Sequence, residues 1–65
     1  MREKYFMRDP IRIERILGLI KQLWAKVPDW RLGQLIVNVL DTDMIFYIED
    51  DKLEEALKSM IKEIK

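Results

Sequence analysis

Side chains able to do covalent or acid–base chemistry are scarce in this sequence. It has no histidine and no cysteine, and its hydroxyl side chains, apart from two tyrosines, are Thr42 and Ser59. General acid–base or nucleophilic catalysis needs a reactive group and a partner that tunes it. Ser59 sits beside Lys58 on a predicted helix, where adjacent residues point to different faces, so the two cannot work as a pair. The remaining candidates are carboxylates, and a 65-residue chain rarely encloses a pocket that would desolvate them. The expectation is therefore no enzyme, no catalytic residue, no cofactor and no small-molecule substrate.

Two constellations have spacing that suggests binding. Asp41 and Asp43 share the first step of a calcium loop, but its sixth and twelfth positions would be Phe46 and Lys52 instead of glycine and glutamate. Helix capping and solvation account for these aspartates, and no metal site is expected. Arg31, Gln34 and Asn38 form a polar ridge on a predicted helix, and these residue types are the ones that read guanine and adenine edges in a major groove. An ordinary solvated helix face is the favoured explanation of the ridge. An acidic segment follows directly and would repel phosphates, so nucleic acid is an unfavoured partner and a helix-turn-helix-like DNA reader is kept only as the alternative.

The elements that would position these residues follow from periodicity and punctuation. Asp9–Pro10 is a helix start, because the aspartate can accept a free backbone N–H and proline at the first helical position loses no bond. Ile13, Ile16, Leu17, Ile20, Trp24 and Val27 recur at three- and four-residue steps, with Leu19 and Leu23 widening the stripe on one flank. Pro28 ends this helix, giving residues 10–27. Asp29 can cap a second helix over residues 30–40, whose apolar positions are Leu32, Leu35, Ile36, Val39 and Leu40. Residues 45–48 form an aromatic, β-branched run predicted to be extended. Tyr5 and Phe6 could pair with it, but the favoured expectation is an aromatic plug closing the helical core. Asp51 with Glu54 resembles a capping box, and Asp50 is the other candidate cap, for a third helix over residues 51–64. The fold class is all-α: one small three-helix domain over residues 1–65, with residues 1–8 as an N-terminal extension and a short extended aromatic segment before the last helix.

Composition then bounds what such a domain does. Without cysteine or histidine, a disulfide or the usual imidazole ligands cannot stabilise it. The absence of cysteine, of a secretory leader and of any spanning apolar run is consistent with a cytoplasmic protein that does not enter a membrane. Twelve basic and twelve acidic residues give a formal net charge of zero. The basic residues dominate the first half, however, and Asp41, Asp43, Glu49, Asp50, Asp51, Glu54 and Glu55 gather later. The two halves are expected to attract each other, across the fold or across a self-association contact.

Hydrophobic residues make up 49% of the chain, more than a domain this small can bury. Trp24, Trp30, Val37 and Tyr47, with the region of Phe6, are the candidate protein interface, because aromatic side chains are enriched at interface centres. Gly18 and Ala25 lie two turns apart away from the core stripe, where small side chains would let another helix approach. These features predict a protein-interaction module that self-associates as a homodimer or docks on a protein partner.

RDPIRIERIL at residues 8–17, PDWRLGQLIVN at 28–38 and FYIEDDKLEEAL at 46–57 together resemble a family of short bacterial and phage-associated proteins catalogued as a domain of unknown function. The resemblance spans nearly the whole chain. It implies that Met7, in MRDP, is the usual start and that residues 1–6 are an extension or an alternative start. It implies no catalytic or binding residue.

Overall fold

The computed structural model describes residues 9–64, which fold into three helices, α1 (Ile11–Lys26), α2 (Leu32–Leu40) and α3 (Asp50–Glu63), with one 3-10 turn at Ile45–Tyr47. No strand is present among the described residues. The all-α, three-helix architecture is as the sequence predicts. The N-terminal extension at 1–8 and the pairing of Tyr5 and Phe6 lie outside the described residues.

Each boundary has a local cause. At the start of α1, the Ile11 N–H donates to Asp9 Oδ1 at 3.0 Å, so the aspartate satisfies one of the donors a helix leaves free. At its end the Val27 N–H donates to the carbonyls of Leu23 and Trp24, and Pro28 prevents continuation. Residues 27–31 then turn tightly, closed by Trp30 N–H to Val27 O at 3.0 Å. α2 begins two residues later than the sequence predicts, and Asp29 is not its cap. Arg31 takes that position in an extended conformation, and its N–H donates to the Gln34 side-chain oxygen at 3.3 Å.

α2 ends at Asp41, which adopts the left-handed conformation with φ 57°. Aspartate tolerates that region better than most residues. The Asp41 N–H returns to Val37 O, and the Thr42 hydroxyl then accepts the Met44 N–H. Two i to i+3 bonds, from Tyr47 to Met44 and from Ile48 to Ile45, make the 3-10 turn where the sequence predicts an extended run. Only Ile48 and Glu49, at its exit, have extended backbone. Glu49 is the residue that precedes α3, and neither Asp50 nor Asp51 caps it.

The expected aromatic plug does not form. Phe46 is 91% exposed and Tyr47 72%, and their rings meet each other edge to face at 5.2 Å. A 3-10 turn sends successive side chains about a third of a circle apart, so the segment cannot aim both rings at the core.

The core is formed by Leu23 of α1, Leu35 and Val39 of α2 and Leu57 of α3, all buried, inside a shell of half-buried apolar side chains. α3 packs along both α1 and α2, whereas α1 and α2 scarcely meet along their lengths. At their junction Trp24 acts as a side-chain clamp, its indole Nε1–H donating to Trp30 O at 2.7 Å.

Candidate interaction surface

α1 has apolar residues on about half its circumference, and α3 covers only one side of them. Leu23 is fully buried, with Ile16 and Leu19 half-buried beside it. Of the stripe that the sequence predicts, Ile16 and Val27 pack against the core, whereas Ile13, Leu17, Ile20 and Trp24 lie at the edge of the packed face and beyond it. Ile13 is 49% and Leu17 55% exposed.

The direction α1 faces is fixed by charge as well as by shape. Arg12 Nε donates to Asp50 Oδ2 at 2.6 Å, and Arg12 Nη1 donates to the Asp9 carbonyl. One turn along, Arg15 donates to both carboxylate oxygens of Glu54, at 2.5 and 3.2 Å. Glu54 is the one buried charged residue among those described, and Lys58 stands 3.8 Å from it on the next turn. The hydrogen bond from Arg15 holds the Glu54 carboxyl below the usual carboxylate range against the opposing effect of burial, and the charges of Arg15 and Lys58 help. Glu54 in turn raises Arg15 further above its ordinary value. The basic first half and the acidic later segment thus attract each other within the fold. In the sequence Asp50 and Glu54 read as capping residues. The available signal was that Arg12 and Arg15, and Asp50 and Glu54, each lie one turn apart, beside the apolar stripes of α1 and α3.

On the side of α1 away from these ion pairs an open apolar groove of about 580 Å³ is lined by Leu17, Ile20, Lys21, Trp24, Ala25, Pro28 and Leu32. It runs along the C-terminal half of α1 and over the turn into α2. Leu32, 45% exposed, forms its far wall. Ala25 belongs to this groove and Gly18 does not; a methyl group added at Gly18 would meet nothing within 4 Å.

The four residues predicted as an interface are therefore not one patch. Trp24 and Trp30 are half-buried, packed against the core and joined by their hydrogen bond. Val37 is half-buried on α2. Tyr47 lies beyond the other end of α2, a helix of nine residues that spans about 13 Å. Of the four, only Trp24 lines the groove, and the prediction of an interface missed Leu17, Ile20, Lys21, Pro28 and Leu32. For Leu17 and Ile20 the signal was their place with Ile13 and Trp24 at steps of four, three and four residues along α1; Pro28 and Leu32, beyond α1, gave none.

Arg31, Gln34 and Asn38 are all exposed, near and along α2. Gln34 spends its side-chain oxygen on the Arg31 N–H and so serves the helix start. The described residues contain no cluster of three or more carboxylates suited to a metal ion. None of their helices is long and apolar enough to cross a membrane.

Comparison with protein-family models, with curated proteins and with solved structures found no match to this chain. The geometry of the surface itself carries the functional reading.

Proposed function

We propose that this protein is a protein-interaction module that self-associates or docks on a protein partner through the outer face of α1. The observation that carries this reading is the groove beside Trp24, with Leu17 and Leu32 left in solvent on its two walls. Burying apolar surface contributes roughly 25 cal/mol per Å², and a core of four buried side chains leaves much of that potential unused. Helix-in-groove recognition, with anchors at three- and four-residue steps, is the mode this shape suits.

Site-specific photo-crosslinking in living cells tests it. A benzoylphenylalanine at Leu17 is expected to give covalent adducts with polypeptide. The same probe at Gln22, exposed on another face of α1, is expected to give few. Equal labelling at the two positions, or none at either, would reject the reading.

A further inference from the structure

We propose that the occupant of the groove is α1 of a second copy of this chain, lying antiparallel about a two-fold axis that passes between Leu17 and Ile20. The proposal rests on the interaction reading above and adds the partner and its orientation.

Spacing is the first argument. Steps of four, three and four residues are those of a coiled-coil seam, in which alternate apolar residues face a partner helix. Antiparallel pairing sets Leu17 opposite Ile20 of the other copy and Ile13 opposite Trp24. The shape of the face agrees with that register. Its C-terminal half is concave, walled by Trp24, Pro28 and Leu32, and its N-terminal half presents Ile13, 49% exposed. A two-fold axis puts the protruding half of each copy into the hollow half of the other, so both hollows are filled by one operation.

Charge is the second argument, and it selects the orientation. Glu14 and Lys21 lie on the same edge of the seam, two turns apart, and both are exposed. Neither forms an ion pair among the described residues, in contrast to Arg12 and Arg15. In the antiparallel register Glu14 of each copy comes beside Lys21 of the other, giving two unlike pairs. A parallel register would instead set this edge against the side carrying Ile16 and Leu23, which the chain's own core already occupies. The self-complementary edge fits a second copy without needing any other molecule.

Sedimentation across a micromolar concentration series is expected to show a monomer–dimer equilibrium. Glu14→Lys puts like charges in both contacts and should weaken the dimer by roughly tenfold, as should Lys21→Glu. Mixing those two variants should restore wild-type affinity in a heterodimer, because each unlike pair is regenerated. Since the chain has no cysteine, Leu17→Cys and Ile20→Cys each carry one thiol. On mild oxidation they should cross-link faster with each other than with themselves. Faster self-linking, or charge variants that fail to rescue each other, would overturn the antiparallel pairing. A wild-type chain that stays monomeric throughout would overturn self-association altogether. Adducts of another mass at Leu17 would then leave the broader interaction reading standing, and an absence of adducts of any mass would remove both.

Discussion

The two apolar sides of α1 are built from the same parts and differ in one respect. The inner side, centred on Leu23, is covered by α3, and its margin is closed by Arg12 with Asp50 and Arg15 with Glu54. The outer side, along Ile13, Leu17 and Trp24, has helical spacing too and its own marginal charges, Glu14 and Lys21, but no helix lies on it among the described residues. The inner contact therefore shows how this chain finishes a helix–helix packing: a periodic apolar stripe flanked by unlike charges that meet across the joint. The outer side lacks only the second helix, and that difference is the physical basis for assigning it a partner.

The largest expected effect separates the two sides by stability. Leu23→Ala opens a cavity in a fully buried position and should cost about 2–5 kcal/mol, enough to unfold much of a domain this small at ambient temperature. Leu17→Ala removes a half-exposed side chain, so denaturation of the monomer should move far less while the dimer weakens. Urea melts at a dilution where the chain is monomeric, read beside sedimentation at higher concentration, check both. Equal losses of monomer stability would show that α1 has a single packed surface and not two.

The margin of the inner side should reveal itself through pH. Glu54 is held below the ordinary carboxylate range by the Arg15 hydrogen bond, so the folded state binds the Glu54 proton less readily than the unfolded chain does. Its contribution is fully present above the unfolded value, which lies near pH 4, and is lost as pH falls through the lower folded value. Thermal melts should therefore drop across that acid window, and Glu54→Gln, already weaker at neutral pH, should drop less. Arg15 is half exposed, so added salt should reduce the difference between the two proteins. A wild type and a Gln variant with parallel acid profiles would mean that the pair does not hold α3 on α1.

How far the fold can be read from the sequence is clearest on this same helix. Asp9–Pro10, Pro28 and the apolar periods fix three helices, because capping chemistry and period are local properties. Which side of α1 turns inward is not local. Ile13, Leu17, Ile20 and Trp24 keep helical spacing as well as Ile16, Leu19 and Leu23 do, and a stripe that broad has no marked centre. Contact with α3 selects the inner side, through carboxylates about forty residues away. The groove was out of reach for the same reason, since its far wall, Leu32, belongs to α2. The 3-10 turn at 45–47 was missed because β-branched and aromatic residues favour extended backbone only where a sheet exists to receive them.

A smaller effect concerns Gly18, which lies on α1 outside both sides. A methyl group there would meet nothing, and alanine is favoured over glycine inside a helix by about 1 kcal/mol. Gly18→Ala should raise the melting temperature by several degrees and leave the dissociation constant unchanged. A weakened dimer would place the second helix on the Gly18 side instead of over Leu17.

The smallest expected effect belongs to the most exposed aromatic residue among those described. Phe46 is 91% exposed and touches the ring of Tyr47, which by exposure alone makes it a more obvious contact point than Leu17. Its surroundings argue otherwise. Asp41, Asp43, Glu49 and Asp51 lie within a few residues on either side, with Lys52 the nearest basic residue in the chain, so a second copy meeting this turn would set acid against acid. The outer side of α1 carries one charge of each sign and has no such conflict. Phe46→Ala should consequently change stability by less than about 0.5 kcal/mol, as for surface positions generally, and leave the sedimentation profile as it is. Dissociation of the dimer on removing Phe46 would transfer the self-association surface from α1 to the turn before α3, and Glu14→Lys would then be expected to have no effect on assembly.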